Sequence, residues 1–195
     1  MKKVILIYGL PATGKLTIAE LLKKEIIKSG KDAYLFDNHY FNNIVYPYLD
    51  ITPNLNNICK GVYKIRDIFF ELVGKFNNFK DNSVIIFTNV LLDNKDDRKA
   101  VKQLKLFAKK INADFLPVYL HCDYIDMIKR CSNPERIKRN KIADKELMDW
   151  FVNEHDFLSI KDSLSIDTSE NTPKKVVNTI IKKISWNFKN FRYNF

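Results

Sequence analysis

The chain has 195 residues, 46% of them hydrophobic and 29% charged, with a formal net charge of +10. That length and balance describe an ordinary globular protein with one sizeable core, a single domain over residues 1–195. Nothing in it approaches the ~20 consecutive apolar residues of a membrane-spanning helix, so no membrane association is expected.

The first apolar run, Val4-Ile5-Leu6-Ile7, reads as a buried strand and ends at Gly9. It is too short for a signal peptide despite the two lysines before it. A loop, Gly9-Leu10-Pro11-Ala12-Thr13, then leads to Gly14-Lys15 and to a helical stripe made by Ile18, Leu21, Leu22 and Ile26. Strand, glycine loop, lysine and helix in that order are the context a phosphate-binding loop requires. The glycines let consecutive N–H groups curl inward around an anion, and the helix start adds its own unpaired N–H groups and positive dipole end. Lys15 then reaches the β- and γ-phosphates as a mobile charge. Leu16 stands where Ser or Thr would offer Mg²⁺ a hydroxyl. Thr17, one step on and about 100° around the helix, faces the α-phosphate instead of the metal.

Gly30 stops that helix, and Ala33 to Phe36 forms a second strand ending at Asp37-Asn38-His39. Asp37 there is either a turn residue or a site carboxylate, and His39 either structural or facing an acceptor. Residues 38–60 are irregular, Asn-rich and too aromatic for disorder, the pattern of a substrate-covering segment with short helices. Ile58, Val62, Ile65, Phe69, Leu72, Val73 and Phe76 follow at helical spacing, which puts Arg66 on the opposite, solvated face. Ser83 to Thr88 is a continuous apolar run, the mark of a strand covered on both sides, and Asn89 ends it. Asp93 and Asn94 cap a helix whose buried face is Val101, Leu104, Phe107 and Ile111.

Phe115 to Leu120 is a fourth strand, in which Pro117 predicts that the paired part begins late. Asp123 opens a helix that Asn133-Pro134 interrupts, and Arg130, Arg136, Lys138, Arg139 and Lys141 crowd the interruption. That run is either a wet loop or a lid over residues 130–143. Asp144 begins another helix, Ser163 to Ile166 a short fifth strand, and Thr172-Pro173 a last helix with Val176, Val177, Ile180 and Ile181 inward. In the tail, Ile184, Phe188, Phe191 and Phe195 continue a helical spacing onto the body or a partner subunit.

Alternating strands and helices imply an α/β fold with a parallel sheet covered on both faces, and ligands then collect beyond the C-terminal ends of the strands. The loop, Asp37 to His39, Thr88-Asn89 and the arginine cluster all fall there. The three cysteines lack ligand spacing and fit a reducing cytoplasm.

With Gly9 to Thr17, Asp37-Asn38-His39 and the two arginines in place, the chain resembles the small P-loop kinases. These include shikimate kinase, gluconate kinase, chloramphenicol phosphotransferase, adenylate kinase and bacterial P-loop proteins described as shikimate kinase-like. The resemblance implies a three-layer α/β/α fold with a five-stranded parallel sheet in order 2-3-1-4-5 and a small lid. It implies ATP and Mg²⁺ as cofactors, with Asp37 serving the metal through water. Arg130 and Arg136 match the lid arginines approximately, separated by six positions instead of the family's seven. Ile166-Asp167-Thr168 looks like the loop that meets the adenine edge. His39 replaces the second carboxylate of the shikimate kinase pattern.

The expectation is therefore an ATP-dependent phosphotransferase acting on a hydroxyl of a small molecule. Catalysis falls to Lys15, Asp37, Arg130 and Arg136, nucleotide binding to residues 9–17 with Arg130 and Thr168, and acceptor binding to Asp37, His39, Arg66, Asn89 and Arg139. The competing readings are a nucleic-acid end-kinase, which the positive charge supports only weakly, and a nucleotide-binding protein without phosphoryl transfer. Either a monomer or a homodimer is compatible with the sequence.

Overall fold

The computed structural model describes residues 1–49, 51–138, 141 and 143–184; for residues 51–56, 135, 137 and 147 the description is of the backbone alone. The apolar runs become strands β1 (Lys2–Tyr8), β2 (Ala33–Asp37), β3 (Val84–Asn89), β4 (Ala113–His121) and β5 (Leu164–Asp167). Between them lie helices α1 (Lys15–Lys28), α2 (His39–Val45), α3 (Ile51–Phe76), α4 (Lys95–Lys110), α5 (Tyr124–Cys131), α6 (Pro134–Lys138), α7 (Lys145–Asn153) and α8 (Pro173–Lys183). All strand pairs are parallel, in the order β2-β3-β1-β4-β5.

Alternation along each strand divides the core. Ile5 and Ile7 of β1, with Val84, Ile86, Val118 and Leu120, pack against Ile18, Leu22 and Ile26 of α1 and Val176, Val177, Ile180 and Ile181 of α8. Val4 and Leu6, with Ile85 and Phe87, face the other way onto Phe70 of α3 and Val101, Leu104 and Phe107 of α4. Helix starts follow their caps: the Asn94 side chain accepts from Asp97 N–H, and that of Thr172 from Lys175 N–H.

Two expectations change. Pro117 does not delay β4, which pairs with β1 from Ala113 onward; the second partner, β5, joins only at Val118, so the proline precedes the stretch bonded on both sides. The stripe of α3 is rotated by one residue from the sequence reading. Ile58, Val62, Arg66, Phe70 and Gly74 are buried, four apart, while Leu72 and Phe76 are exposed. Residues 38–60 hold the short helices expected of them: α2, a short 3₁₀ turn at Tyr46–Tyr48 and the start of α3. The aromatic tail lies outside the described residues.

Candidate active site

Parallel pairing brings the C-terminal ends of the strands to one edge, with Asp37 beside Thr88 and Tyr8 beside Asn89. Above that edge opens a cavity of about 770 Å³. Pro11, Ala12, Gly14, Lys15, Leu16 and Thr17 form its floor, Asp37, His39 and Asn89 one wall, and Arg130, Arg136 and Lys141 the other.

The loop is held from below. Gly9 (φ +152°) passes so close to β4 that a Cβ would stand 2.1 Å from the Leu120 carbonyl oxygen. Gly14 (φ +87°) has nothing within 4 Å of its own notional Cβ, because it faces the cavity. Thr13 is wholly buried and its hydroxyl donates to Leu10 O at 2.9 Å. Lys15 Nζ bends back over the loop and donates to Gly9 O (2.9 Å) and Leu10 O (2.5 Å). Burial, then the neighbouring Lys141 and Arg136, push its pKa down to about 7 against the opposing pull of Asp37. A cation confined this way gains by meeting an anion.

Asp37 is buried at the end of β2. Its Oδ1 accepts the Thr88 hydroxyl at 2.8 Å and the His39 backbone N–H at 3.3 Å, and its Oδ2 lies 3.7 Å from Lys141 Nζ. The turn contact read from the sequence is present, and the same carboxylate lines the cavity. His39 Nδ1 is buried without a hydrogen-bond partner. Burial pushes the imidazole down to about 4, with Asp37 opposing and Lys141, Lys15 and Arg136 reinforcing, so the ring is neutral near pH 7.

Arg130 reaches Thr168 rather than solvent, donating to its hydroxyl (2.9 Å) and its carbonyl (2.7 Å). The Thr168 hydroxyl in turn lies 3.2 Å from Thr13 O and 3.1 Å from His121 O, tying the loop, β4 and α5 together. Arg136 lines the cavity, and burial lowers its pKa.

Arg66 departs from expectation. It is 6% exposed, not solvated, because it occupies the centre of the buried stripe of α3 with its guanidinium over the Tyr63 ring. Its Nε lacks a partner and borders a second cavity of about 20 Å³, room for one water, behind Asn38, Thr88 and Asn89. It does not line the main cavity. Arg139 lies outside the described residues. Thr88 and Lys141 stand at the site as the sequence placed them, at the end of the third strand and in the basic run, but the contacts that both make with Asp37 were not foreseen.

Among the described residues no three His, Cys, Asp or Glu side chains cluster as a metal cage. Leu16 offers no oxygen, so the donor set fits an Mg²⁺ carried on phosphate oxygens and waters, with Asp37 at second remove.

The sheet order, the loop and the covering helices give the chain the P-loop kinase-like fold. No protein-family profile matches it. An adenylyl-sulfate kinase of Thermodesulfovibrio yellowstonii is 32% identical over 120 residues, 61% of this chain and 52% of that protein, so the match spans about half the length of the relative. Among solved structures, the Mycobacterium tuberculosis APS kinase in complex with AMPPNP and APS superposes with a TM-score of 0.59 at 11% identity, covering 95% of this chain and 98% of that one. Shikimate kinase from Aquifex aeolicus gives 0.50 at 17% identity, covering 93% and 95%. No helix among the described residues is long and apolar enough to cross a membrane.

Proposed function

We propose that the protein is an ATP-dependent phosphotransferase that moves the γ-phosphoryl group to a hydroxyl of a small anionic molecule. The observation that carries this reading is a cavity of about 770 Å³ with the glycine-lysine loop at its floor and a carboxylate-histidine pair at its wall. The adenylyl-sulfate kinase relative and the kinase-like fold support the same class.

Phosphoryl transfer asks for positioning and charge stabilisation more than covalent help. The backbone N–H groups of Ala12, Gly14 and Lys15 cradle the β- and γ-phosphates, and Lys15 leaves its loop carbonyls for them. Mg²⁺, with Asp37 as its protein partner through water, would offset the phosphate charge. Arg130, fixed by Thr168, and Arg136 face the transferring group from the other wall. Residues 130–143 serve as a lid and 38–60 as the acceptor cover in this reading. His39, neutral and with an unpartnered Nδ1, receives the acceptor hydroxyl beside Asp37. An anionic acceptor suits a cavity that Lys15, Lys129, Arg130, Arg136 and Lys141 line against Asp37 and Glu20. Arg66, one layer behind, adds a positive field to the same wall.

ADP release screened across sugars, nucleosides, adenylated and phosphorylated metabolites and hydroxy acids tests the proposal. Turnover with at least one anionic hydroxyl compound is expected. ATP binding without turnover on any member would favour a nucleotide-binding protein instead.

A further inference from the structure

Asp37 carries a partner that a metal-holding carboxylate does not need. Its Oδ1 is committed to Thr88 and His39, which fixes the rotation of the carboxylate. The second oxygen, the one turned to the cavity, lies 3.7 Å from Lys141 Nζ, with the two side chains 6% and 16% exposed. The backbone of Lys141 is held in place, its N–H donating to Arg136 O at 2.9 Å. Lys15 and Arg136 border the same space, so the pair lies in a positive field.

A hydrated Mg²⁺ beside Asp37 claims the same oxygen as Lys141, and two cations at such a separation repel strongly. Leu16 gives the metal no alternative anchor on the loop. Without the metal, a bare Asp37 would face the incoming phosphates as a like charge, and Lys141 masks it. We propose that Lys141 is a positioning residue that stands in for Mg²⁺ on Asp37 in the empty site and gives the carboxylate up when the metal arrives. This rests on the nucleotide-site reading above.

The readout is the ratio of ATP dissociation constants measured by calorimetry in EDTA and in excess Mg²⁺, which requires no turnover. Lys141→Met uncovers Asp37, so Mg²⁺-free binding weakens while Mg²⁺-loaded binding does not suffer equally. The ratio is expected to rise about fivefold or more, since the pair is more sheltered than a surface one. Lys141→Arg, which keeps the charge, should restore a ratio near that of the wild type. In the Asp37→Asn background, Lys141→Met should change the ratio little, because the charge it masks is gone. A ratio unchanged by Lys141→Met, or raised equally in the Asp37→Asn background, overturns the hand-over while leaving the nucleotide site standing. Wild-type protein that binds no ATP under either condition overturns the nucleotide-site reading and the hand-over together.

Discussion

Gly9 and Gly14 bound the same loop, yet a methyl group would meet opposite surroundings at the two positions. At Gly9 the added carbon stands 2.1 Å from Leu120 O and 3.2 Å from Thr13 Oγ1. Leu120 is fully buried in β4, whose register on β1 runs to Tyr8–Tyr119, so its carbonyl cannot retreat without parting the two strands. Overpacking of this kind costs about 1–3 kcal/mol and the positive φ about 1–2 more, together roughly 2–5 kcal/mol. At Gly14 only the backbone cost remains, about 1–2 kcal/mol, because nothing lies within 4 Å. In a chain of this size each kcal/mol moves the melting temperature by about 2–4 °C. Gly9→Ala should therefore melt roughly 4–20 °C below the wild type and Gly14→Ala roughly 2–8 °C below. ATP affinity should order differently: Gly14→Ala puts its methyl into the cradle and should bind at least about tenfold more weakly. Circular-dichroism melts with calorimetric ATP titrations check both. Equal melting shifts for the two variants, or a Gly14→Ala protein that binds ATP like the wild type, would refute the reasoning.

Lys15 sets a pH dependence. Its folded pKa, about 7, lies below the ordinary 10.5, so the unfolded chain holds the extra proton between these values and stability should rise with pH across that window. Phosphates beside Lys15 restore the proton, so ATP binding near pH 8 should take one up and weaken as pH rises; calorimetry in two buffers of different ionisation enthalpy measures this, and zero uptake in the wild type refutes it. Asp37→Asn should lower Mg²⁺-dependent turnover far more than Mg²⁺-free ATP binding, whereas equal losses would reduce Asp37 to a tie between Thr88 and His39. Thr168→Val removes the hydroxyl between Arg130, Thr13 and His121 and should cost about 1–3 kcal/mol in denaturant unfolding; unchanged stability would mean that these contacts contribute nothing net.

The loop was legible because its chemistry is local: Gly9, Gly14 and Lys15 are placed by strand, turn and helix within one short stretch. Sheet order came with the resemblance, since apolar runs identify strands without saying which neighbours they choose. The face of α3 was not legible. Ile65 and Phe69 share the apolar spacing of Val62 and Phe70, and only packing against β3 and α4 decides that the centre of the stripe passes through Arg66. Charge made that residue look solvated, although an aromatic neighbour and distant carboxylates allow it to be buried. The pairing of Lys141 with Asp37 was hidden for another reason. Lys141 stands in a run of like charges, and its backbone contact with Arg136 is one that no periodicity announces.

The central claim is that the Gly9–Lys15 loop binds a nucleotide through its phosphates. Its most direct test is a calorimetric titration of Mg²⁺-ATP into the wild-type protein and into Lys15→Ala. The account predicts saturable one-site binding to the wild type and an affinity at least about tenfold lower in the variant, with melting temperature held or raised because a confined cation is gone. Equal affinity in the two proteins, or no binding to either, would contradict it.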